Sequence, residues 1–394
     1  MKNIITVKKI IFGIFLLQLS SCNNSTEISN KENDLFQEIS IRNNLDVVEP
    51  DYKKLFGKSS LSELVLPDSI FVSNVNKLKF FEEKILILDK KFSKLLVFDN
   101  SGKFLGSVGA LGFGPGEFQE ITDFEVKFGV ISVYSKADFK IFRFNLSNLS
   151  FIDSIKIDFF ANSMIQLSEN EFLFYVNHNP SDFSKNKNII FLNTKSDESK
   201  MFFEYDQTKS NSVIDFSGFL EGKEGEIYFS LPFDNKVFVF DERELDFNLK
   251  YKFDNVSDEI LENREDFQKL IFGGMLLDKS KKVSVLGSIF LKNERYVVFK
   301  YLYNSTEYYG VYKFNTKEFK VFSKKSLSDL SINVLGDPLY ISESDDLCFA
   351  FTSEPVMYYQ NIPEFSNSYL APFLPKEIVE NRIFLFKSKI EFLN

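Results

Sequence analysis

The stretch LVFDNSGKFLGSVGALGFGPGEFQEITDFEV, residues 96–126, places strand-like segments on both sides of a glycine-rich loop, GALGFGPGEF, residues 109–118. A phosphate-binding loop would need Lys and then Ser or Thr after its last glycine, followed by a helix. Here Glu117 and Phe118 lead into another strand-like run, ITDFEVK. We therefore expect no nucleotide site in this loop.

The loop is better interpreted as a corner between two sheets. Its glycines permit positive φ and a close approach of the backbone, and its proline fixes a bend. Its acidic residue is expected to accept hydrogen bonds from loop amides, which would hold the corner in shape. The residues assigned to this structural role are Gly109, Gly112, Gly114, Pro115, Gly116 and Glu117.

Short runs rich in β-branched and aromatic residues recur at intervals of roughly 40 to 70 residues, close to the length of a four-stranded propeller blade. They begin at Lys84, Val130, Glu171, Glu226, Arg295 and Leu347. Most are followed by a second strand that ends in Asp or Asn, whose side chains start turns. These turn residues are Asp99, Asn145, Asn193, Asp241 and Asn315. The pattern predicts blades of four strands, A to D, that run up and down.

Residues 96–126 also resemble the core repeat of six-bladed β-propeller lipoproteins from gut-type Gram-negative bacteria. In that repeat a strand ending in FD is followed by a G-K turn and by G-x-G-x-G-P-G-E with an aromatic residue. The strong match covers residues 70–159. The family is similar in layout to NHL-type propellers and implies no general catalytic activity. The resemblance implies an all-β fold, a six-bladed β-propeller with four-stranded antiparallel blades.

Three segments depart from the regular repeat: residues 257–271, the lengthened B-to-C connection of the third unit at residues 177–187, and residues 354–382 in the last unit. Residues 257–271 have the apolar spacing of one helical face and acidic residues at the start, which predicts one inserted helix. A second short helix is expected at residues 376–381. We expect FQEISI, residues 36–41, to close the last blade, because ring closure removes open sheet edges. The 48 phenylalanines are expected to fill the layers between blades.

The N-terminal segment has the pattern of a secretory signal peptide. A lysine-rich start precedes an apolar run at residues 10–19, which is shorter than the roughly 20 residues of a membrane-spanning helix. The run ends in LSSC, which is similar to the lipobox of bacterial lipoproteins, so that Cys22 would carry lipid. The alternative is a secreted protein with a free Cys22. We expect a signal peptide at residues 1–21, a tether at residues 22–34 and a propeller at residues 35–394.

Charge and cysteine content limit the partners. The residues after Cys22 include no acidic run of the kind that resembles a surface-export signal, so we expect an outer-membrane lipid anchor on the periplasmic side. The net charge of −9 argues against nucleic acid, which requires basic surface. The membrane contact is then the lipid. Only Cys348 remains for disulfide chemistry, so no internal disulfide is expected. We also expect the protein to be a monomer.

Few residues suggest catalysis. The single histidine, His178, lies in the polar loop VNHNPSD, where we expect solvent-exposed surface rather than a base. Cys348 lies in an apolar strand and is expected to be an inert thiol. Four carboxylates near strand ends lack the spacing of a calcium loop, so we expect them to form turns. They are Asp89, Asp99, Asp234 and Asp241. We expect no cofactor and no metal site.

Two classes of function remain. The first is a non-catalytic binding module for a glycan, a peptide or a partner protein. The second is a hydrolase or lyase that holds a metal ion in the central channel. Strand-end carboxylates that converge on one ion would favour the enzyme, whereas an apolar or aromatic channel mouth would favour binding.

Strand parity predicts which face of the ring binds a ligand. In an up-and-down blade, the D-to-A corners and the B-to-C loops lie on one face, and the long loops of this sequence all belong to these two kinds. Long loops on a rigid scaffold commonly carry binding residues. The candidate ligand contacts on this face are Phe113, Asn177, His178, Phe233 and Tyr303.

The lipid anchor gives the first testable prediction. Mass spectrometry of the mature N-terminus should find an acylated Cys22, and Cys22→Ala should release the protein from the membrane fraction. Cys348→Ala, which leaves the lipobox intact, should stay with the membrane. An unmodified mature N-terminus at another residue would contradict the lipobox interpretation.

Overall fold

The computed structural model describes residues 36–41, 55–178, 183–206, 208, 218–222, 225–278, 282–323 and 330–392. These residues belong to the unit Phe36–Asn394. The predicted signal peptide, Cys22 and the tether lie outside the described residues. Residues 179–182, which follow His178 in the sequence, also lie outside them.

Six antiparallel sheets form the six blades of a β-propeller, which confirms the predicted fold class. Strand A is the innermost strand of each blade and strand D the outermost. Blade 1 consists of Lys77–Phe81, Lys84–Asp89, Lys94–Asp99 and Phe104–Ser107. Blade 2 consists of Asp123–Lys127, Val130–Ser135, Lys140–Asn145 and Phe151–Lys156. Blade 3 consists of Ser163–Gln166, Glu171–Tyr175, Lys187–Asn193 and Glu198–Glu204.

The other three blades have the same order of strands, with two additions from the N-terminal part of the chain. Blade 4 consists of Phe219–Glu221, Ile227–Phe229, Lys236–Asp241 and Asp246–Asp254, with Gln37–Ser40 as a fifth strand. Blade 5 consists of Val283–Lys292, Tyr296–Tyr303, Thr306–Lys313 and Glu318–Ser323. Blade 6 consists of Tyr340–Ile341, Asp346–Thr352, Ile383–Ile390 and Phe56–Leu64.

The middle strands of a blade are apolar on both faces because each face packs against a neighbouring blade. In Lys84–Asp89, Ile85 and Ile87 pack with residues of blade 6, whereas Leu86 and Leu88 pack with residues of blade 2. Successive residues of a strand point to opposite faces, so one strand serves two cores. This explains the nearly continuous apolar runs that indicate blades in the sequence.

Aromatic side chains occupy the layers between blades, as predicted. Phe253 of blade 4 and Phe299 of blade 5 have ring centroids 4.4 Å apart. Tyr175 of blade 3 and Phe229 of blade 4 lie 5.4 Å apart, edge to face. Such pairs add stabilisation to the burial of their apolar area.

The acidic residues at strand ends form turns, as the sequence predicts. Asp99 Oδ1 accepts hydrogen bonds from the backbone N–H of Ser101 at 2.9 Å and of Lys103 at 3.0 Å. Asp241 Oδ1 accepts the N–H of Arg243 at 2.8 Å. These bonds replace ladder contacts where the chain reverses.

The glycine-rich loop is a corner between blades 1 and 2, as predicted. The N–H of Glu117 donates to the carbonyl of Gly114 at 3.0 Å, which closes a turn with Pro115 and Gly116 at its centre. Gly116 has φ 78°, and Pro followed by a residue of positive φ is typical of a type II turn. Glu117 Oε2 accepts the N–H of Gly114 at 2.9 Å, which confirms its predicted role. Phe118 is buried and joins the core between the blades.

The prediction that residues 36–41 close the last blade is wrong. Phe56–Leu64 closes it by antiparallel pairing with Ile383–Ile390. Gln37–Ser40 instead pairs in parallel with Asp246–Asp254 at the edge of blade 4. An outermost strand is half exposed and needs few apolar residues, so the polar sequence of Phe56–Leu64 gives little indication of its role.

The inserted segment after blade 4 is helical, as predicted, but it is not one helix. An α-helix at Asp258–Glu262 is followed by a π-helical turn at Gln268–Phe272 and a 3₁₀ turn at Met275–Leu277. Asn263 has left the helical conformation, and no side chain caps the first helix. Ile260, Phe267 and Leu270 are buried, whereas Phe272 and Leu277 are exposed.

The other helical elements of the described residues lie just before or within the last blade. They are Ser331–Leu335, Ser353–Tyr359, Pro363–Asn367 and Ala371–Phe373. The short helix predicted at residues 376–381 is wrong, because these residues form bends and extended chain. Helical structure occurs earlier in the same insertion, where Val356 and Phe365 are buried. Among the described residues, no helix is both long and apolar enough to cross a membrane.

The corner gives a prediction about stability. Gly116 has positive φ, and a Cβ there would lie 2.9 Å from Cβ of Phe151. Gly129 has φ 72° and free space around it. Gly129→Ala should therefore lower the free energy of unfolding by about 1 kcal/mol through backbone strain alone, and Gly116→Ala should lower it further. Urea denaturation measures both.

Equal losses in the two variants would contradict the packing role of Gly116. ATP should leave the melting temperature of the wild-type protein unchanged. A rise in melting temperature with ATP would contradict the structural interpretation of the loop.

Candidate functional site

The residues predicted to contact a ligand on the loop face have different environments. Phe113 is 88% exposed, and Tyr303 is half-buried. Asn177, His178 and Phe233 are buried. Whether any of the five contacts a ligand stays a prediction, but three of them present almost no surface to solvent.

The expectation that His178 lies on solvent-exposed surface is wrong, because its side chain is only 5% exposed. Its ring packs edge-on against Tyr205 at 4.8 Å and Phe267 at 5.0 Å. Phe267 belongs to the inserted helical segment, which also covers Phe233. The insertion therefore buries His178, although the sequence around it is polar.

Burial also determines the protonation of His178. It lowers the pKa of the imidazole to about 4, so the ring is neutral at pH 7. Among the described residues its Nδ1 has no hydrogen-bond partner, and its Nε2 lies 3.2 Å from Nδ2 of Asn188.

Cys348 has the structural role predicted for it, and Asp89 and Asp234 each accept a local backbone N–H, from Phe92 at 3.2 Å and from Asn235 at 2.7 Å, in addition to contacts with distant residues. Cys348 is a buried free thiol, and burial raises its pKa to about 12. Asp89 accepts the N–H of Ser73 at 2.7 Å. Burial raises the pKa of Asp234, which lies 3.5 Å from Arg264.

The central channel offers a more open site. A cavity of about 390 Å³ lies among the innermost strands, and all six blades contribute residues to its wall. This volume lies within the range of small-molecule sites, roughly 300 to 1,000 Å³. The cavity is lined by charged side chains on one side and by apolar side chains on the other.

Charged residues alternate along the innermost strands of blades 1 and 2. Lys77 and Lys79 face the channel from blade 1, and Asp123, Glu125 and Lys127 face it from blade 2. Successive residues of a strand point to opposite faces. The residues between these charged ones therefore pack between blades, as the buried Phe124 does. None of these residues is among the predicted ligand contacts, although the period-two pattern is visible in KLKFF and DFEVK.

Lys77 is held by the carboxylates of blade 2. Its Nζ donates to Oδ1 of Asp123 at 2.7 Å, to Oε1 of Glu125 at 2.8 Å and to the carbonyl of Phe124 at 2.8 Å. Burial alone would lower the pKa of Lys77, but the attraction of Asp123 and Glu125 outweighs it and raises the pKa. The ammonium group is therefore charged in the channel.

A second part of the network reaches across the channel. Lys79 contacts Glu125 and donates to Oε2 of Glu221 at 3.0 Å. Lys127 lies 3.3 Å from Oε1 of the same Glu221 and donates to the carbonyl of Gln166. Burial would raise the pKa of Glu221, but the two lysines outweigh it and lower the pKa. The network thus contains three lysines and three carboxylates.

The opposite wall is mostly apolar and aromatic. It includes Leu220, Phe290, Leu291, Leu339, Tyr340 and Ile341. The ring of Phe80 from blade 1 lies 5.0 Å from that of Tyr340. A ligand could therefore place an apolar surface on this wall while its polar groups meet the charged side.

The carboxylates of the channel are paired with lysines and do not converge on one point. In the part of the chain that the structure describes, no group of three or more His, Cys, Asp and Glu side chains is placed to hold a metal ion. The charged wall of the channel is therefore a network of lysine–carboxylate pairs.

Comparisons with known proteins agree with this architecture. The sequence profile of a family described as a domain of unknown function, DUF4934, matches residues 48–369. A Bacteroides fragilis protein described as exported has a TM-score of 0.70 and 19% identity, over 90% of this chain and 99% of that one. A DUF4221 family member from Bacteroides vulgatus has a TM-score of 0.53 and 10% identity, over 86% and 98%. No curated protein matches the chain. At these identities the likeness shows the fold alone.

The buried histidine predicts how stability depends on pH. The folded-state pKa of His178 is about 4, below the ordinary value of 6.5. Between these values the unfolded chain binds more protons, so stability is complete above pH 6.5 and falls as the pH drops towards 4. The free energy of unfolding should fall by about 1–2 kcal/mol between pH 7 and pH 5. Urea denaturation at both pH values measures it.

His178→Gln is the matched control, because the chain has no other histidine. The variant should show a smaller loss over the same interval, and any contribution from carboxylates is common to both proteins. An equal loss in both proteins would contradict the buried, neutral state of His178.

Proposed function

The chain belongs to the DUF4934 family, and we propose that it is an envelope binding module whose ligand enters the central channel of the propeller. The ligand is a glycan, a peptide or a segment of a partner protein. The protein acts without catalysis, as a monomer, and is attached through lipid on Cys22 to the periplasmic side of the outer membrane.

One observation carries this proposal: the cavity of about 390 Å³ to which all six blades contribute. It joins a charged wall to an apolar wall, as ligand sites do when a few polar groups orient a molecule against apolar surface. The wall stands on strands, whose positions are fixed by packing on both sides. A site built on such elements is organised before the ligand arrives.

Recognition fits the channel chemistry better than hydrolysis or elimination. A general base or a metal ligand needs a carboxylate free to take a proton or an ion. Here Asp123, Glu125 and Glu221 each neutralise a lysine. His178 is enclosed between Tyr205 and Phe267 rather than directed at the channel.

The location in the envelope rests on two independent supports. The lysine-rich leader and the LSSC motif are those of a lipoprotein signal. The similar Bacteroides fragilis protein is described as exported. The resemblance to six-bladed, NHL-like propeller lipoproteins is consistent with both.

A thermal-shift screen with glycan fragments and short peptides tests the proposal. A compound that binds should raise the melting temperature, and its affinity should fall at least about tenfold, or 1.4 kcal/mol, in Leu220→Trp, which narrows the channel. Leu105→Trp is the matched control, because Leu105 is exposed on the outer strand of blade 1. This control should bind as the wild-type protein does.

The same compounds separate the channel from the loop face. Phe113→Ala and Tyr303→Ala should leave binding unchanged if the ligand lies in the channel. If these two variants weaken binding and Leu220→Trp does not, the ligand lies on the loop face and the channel proposal is wrong.

A further inference from the structure

Glu221 differs from the other two channel carboxylates in its exposure. Its side chain is 32% exposed, whereas those of Asp123 and Glu125 are 5% and 3% exposed. It ends the three-residue innermost strand of blade 4, between Leu220 and Gly222. Glu221 is therefore the member of the network with the most room to move.

The contacts of Glu221 run across the channel rather than along a blade. Its partners are Lys79 of blade 1 and Lys127 of blade 2, at 3.0 and 3.3 Å. Blade 4 stands opposite blade 1 in a ring of six. The side chain thus occupies space in which a ligand would meet the two lysines.

The remaining network would be unbalanced without Glu221. Lys77 keeps Asp123 and Glu125 as partners. Lys79 would share Glu125, and among the described residues Lys127 would keep only a backbone carbonyl. Three lysines would then face two carboxylates in a partly desolvated site, where an unpaired charge is costly. One further negative charge restores the balance.

The rest of the wall also favours an anion. Five lysines and three carboxylates line the cavity, although the whole chain has a net charge of −9. The fifth lysine of that wall, Lys292, forms no ion pair with any described residue, and its Nζ lies over the rings of Tyr228 and Phe314, at 5.3 and 5.9 Å. A positive site in an acidic protein attracts negatively charged ligands selectively.

We propose that Glu221 occupies the place of a ligand carboxylate and that the natural ligand is a carboxylate-bearing molecule that displaces it. The ligand carboxylate binds Lys79 and Lys127, and the rest of the molecule lies against the apolar wall formed by Leu339 and Tyr340. This inference rests on the proposed channel function and gives its ligand class. Two sources have this chemistry: uronic acids of glycans and acidic residues of peptides.

Glu221→Gln removes the internal competitor while keeping the shape of the side chain. In the wild-type protein, only the molecules whose Glu221 side chain has left the channel can bind the ligand. This requirement weakens the apparent affinity. We expect the variant to bind carboxylates about tenfold more tightly than the wild-type protein does. Glu204→Gln makes the same change at an exposed position on blade 3 and should leave the affinity unchanged.

Isothermal titration with four probes measures the effect. Digalacturonate and N-acetylglutamate represent the two carboxylate sources, lactose is the neutral control, and inorganic phosphate is the control for anions in general. Tighter binding of one carboxylate identifies the source. Equal gains for phosphate would overturn the assignment to a carboxylate.

A double variant tests the role of the lysine. Glu221→Gln with Lys127→Gln leaves two lysines and two carboxylates, so the network is balanced and the protein should fold. Its carboxylate affinity should be at least about tenfold weaker than that of Glu221→Gln alone. Circular dichroism and the melting temperature verify that both variants are folded.

The inference and the channel function fail in different ways. If Glu221→Gln binds carboxylates no more tightly than the wild-type protein, or not at all, Glu221 is not a stand-in and the inference is overturned. If neutral probes still bind and lose affinity in Leu220→Trp, the channel function stands. If carboxylates bind Glu221→Gln equally well with and without Leu220→Trp, both the inference and the channel site are wrong.

Discussion

The packing of each blade against both of its neighbours is the constraint on which the rest of the structure depends. A four-stranded sheet has two apolar faces and cannot bury both alone, so the ring is stable only when it is complete. The cluster that contains Ile85 and Cys348 joins blade 1 to blade 6 and completes it. The same packing fixes the innermost strands and so the positions of the charges that they carry into the channel.

The charged side chains of this network are tolerated in the channel because lysines and carboxylates lie next to each other. Lysine and carboxylate groups lose hydration in a confined channel, and the loss is offset only when every charge has well-placed partners. Lys77, with three acceptors, is the most completely satisfied. Glu221 is the least enclosed, so the network has a rigid end on blade 2 and an adjustable end on blade 4. In the proposed binding site, the rigid end orients the ligand and the adjustable end gives it room.

Local sequence patterns predict most of the fold, and long-range contacts account for what they miss. The run KILILD, the turn at Asp99 and the bend at Pro115 follow from residues within a few positions of each other. The burial of His178 depends on Phe267, which is remote in the sequence. The closing strand is polar because only one of its faces is covered. Part of the channel network is predictable from the sequence, because the alternating charges of DFEVK lie on a predicted innermost strand. Glu221, which pairs with Lys127 of that strand, belongs to a three-residue strand with no comparable pattern.

Phe56–Leu64 closes blade 6 by pairing with Ile383–Ile390, which lies on the far side of all the other blades in the sequence. During synthesis the residues of the closing strand emerge before any of the blades, and their partner emerges last. A long stretch of chain separates the two strands. The entropic cost of closing such a loop grows only gradually with loop length, but contacts between residues so distant in the sequence form slowly. Until the final strand is made, both ends of the blade array expose unpaired edges. Phe56–Leu64 therefore waits longest for its partner, and blade 6 can close only after Ile383–Ile390 has been made.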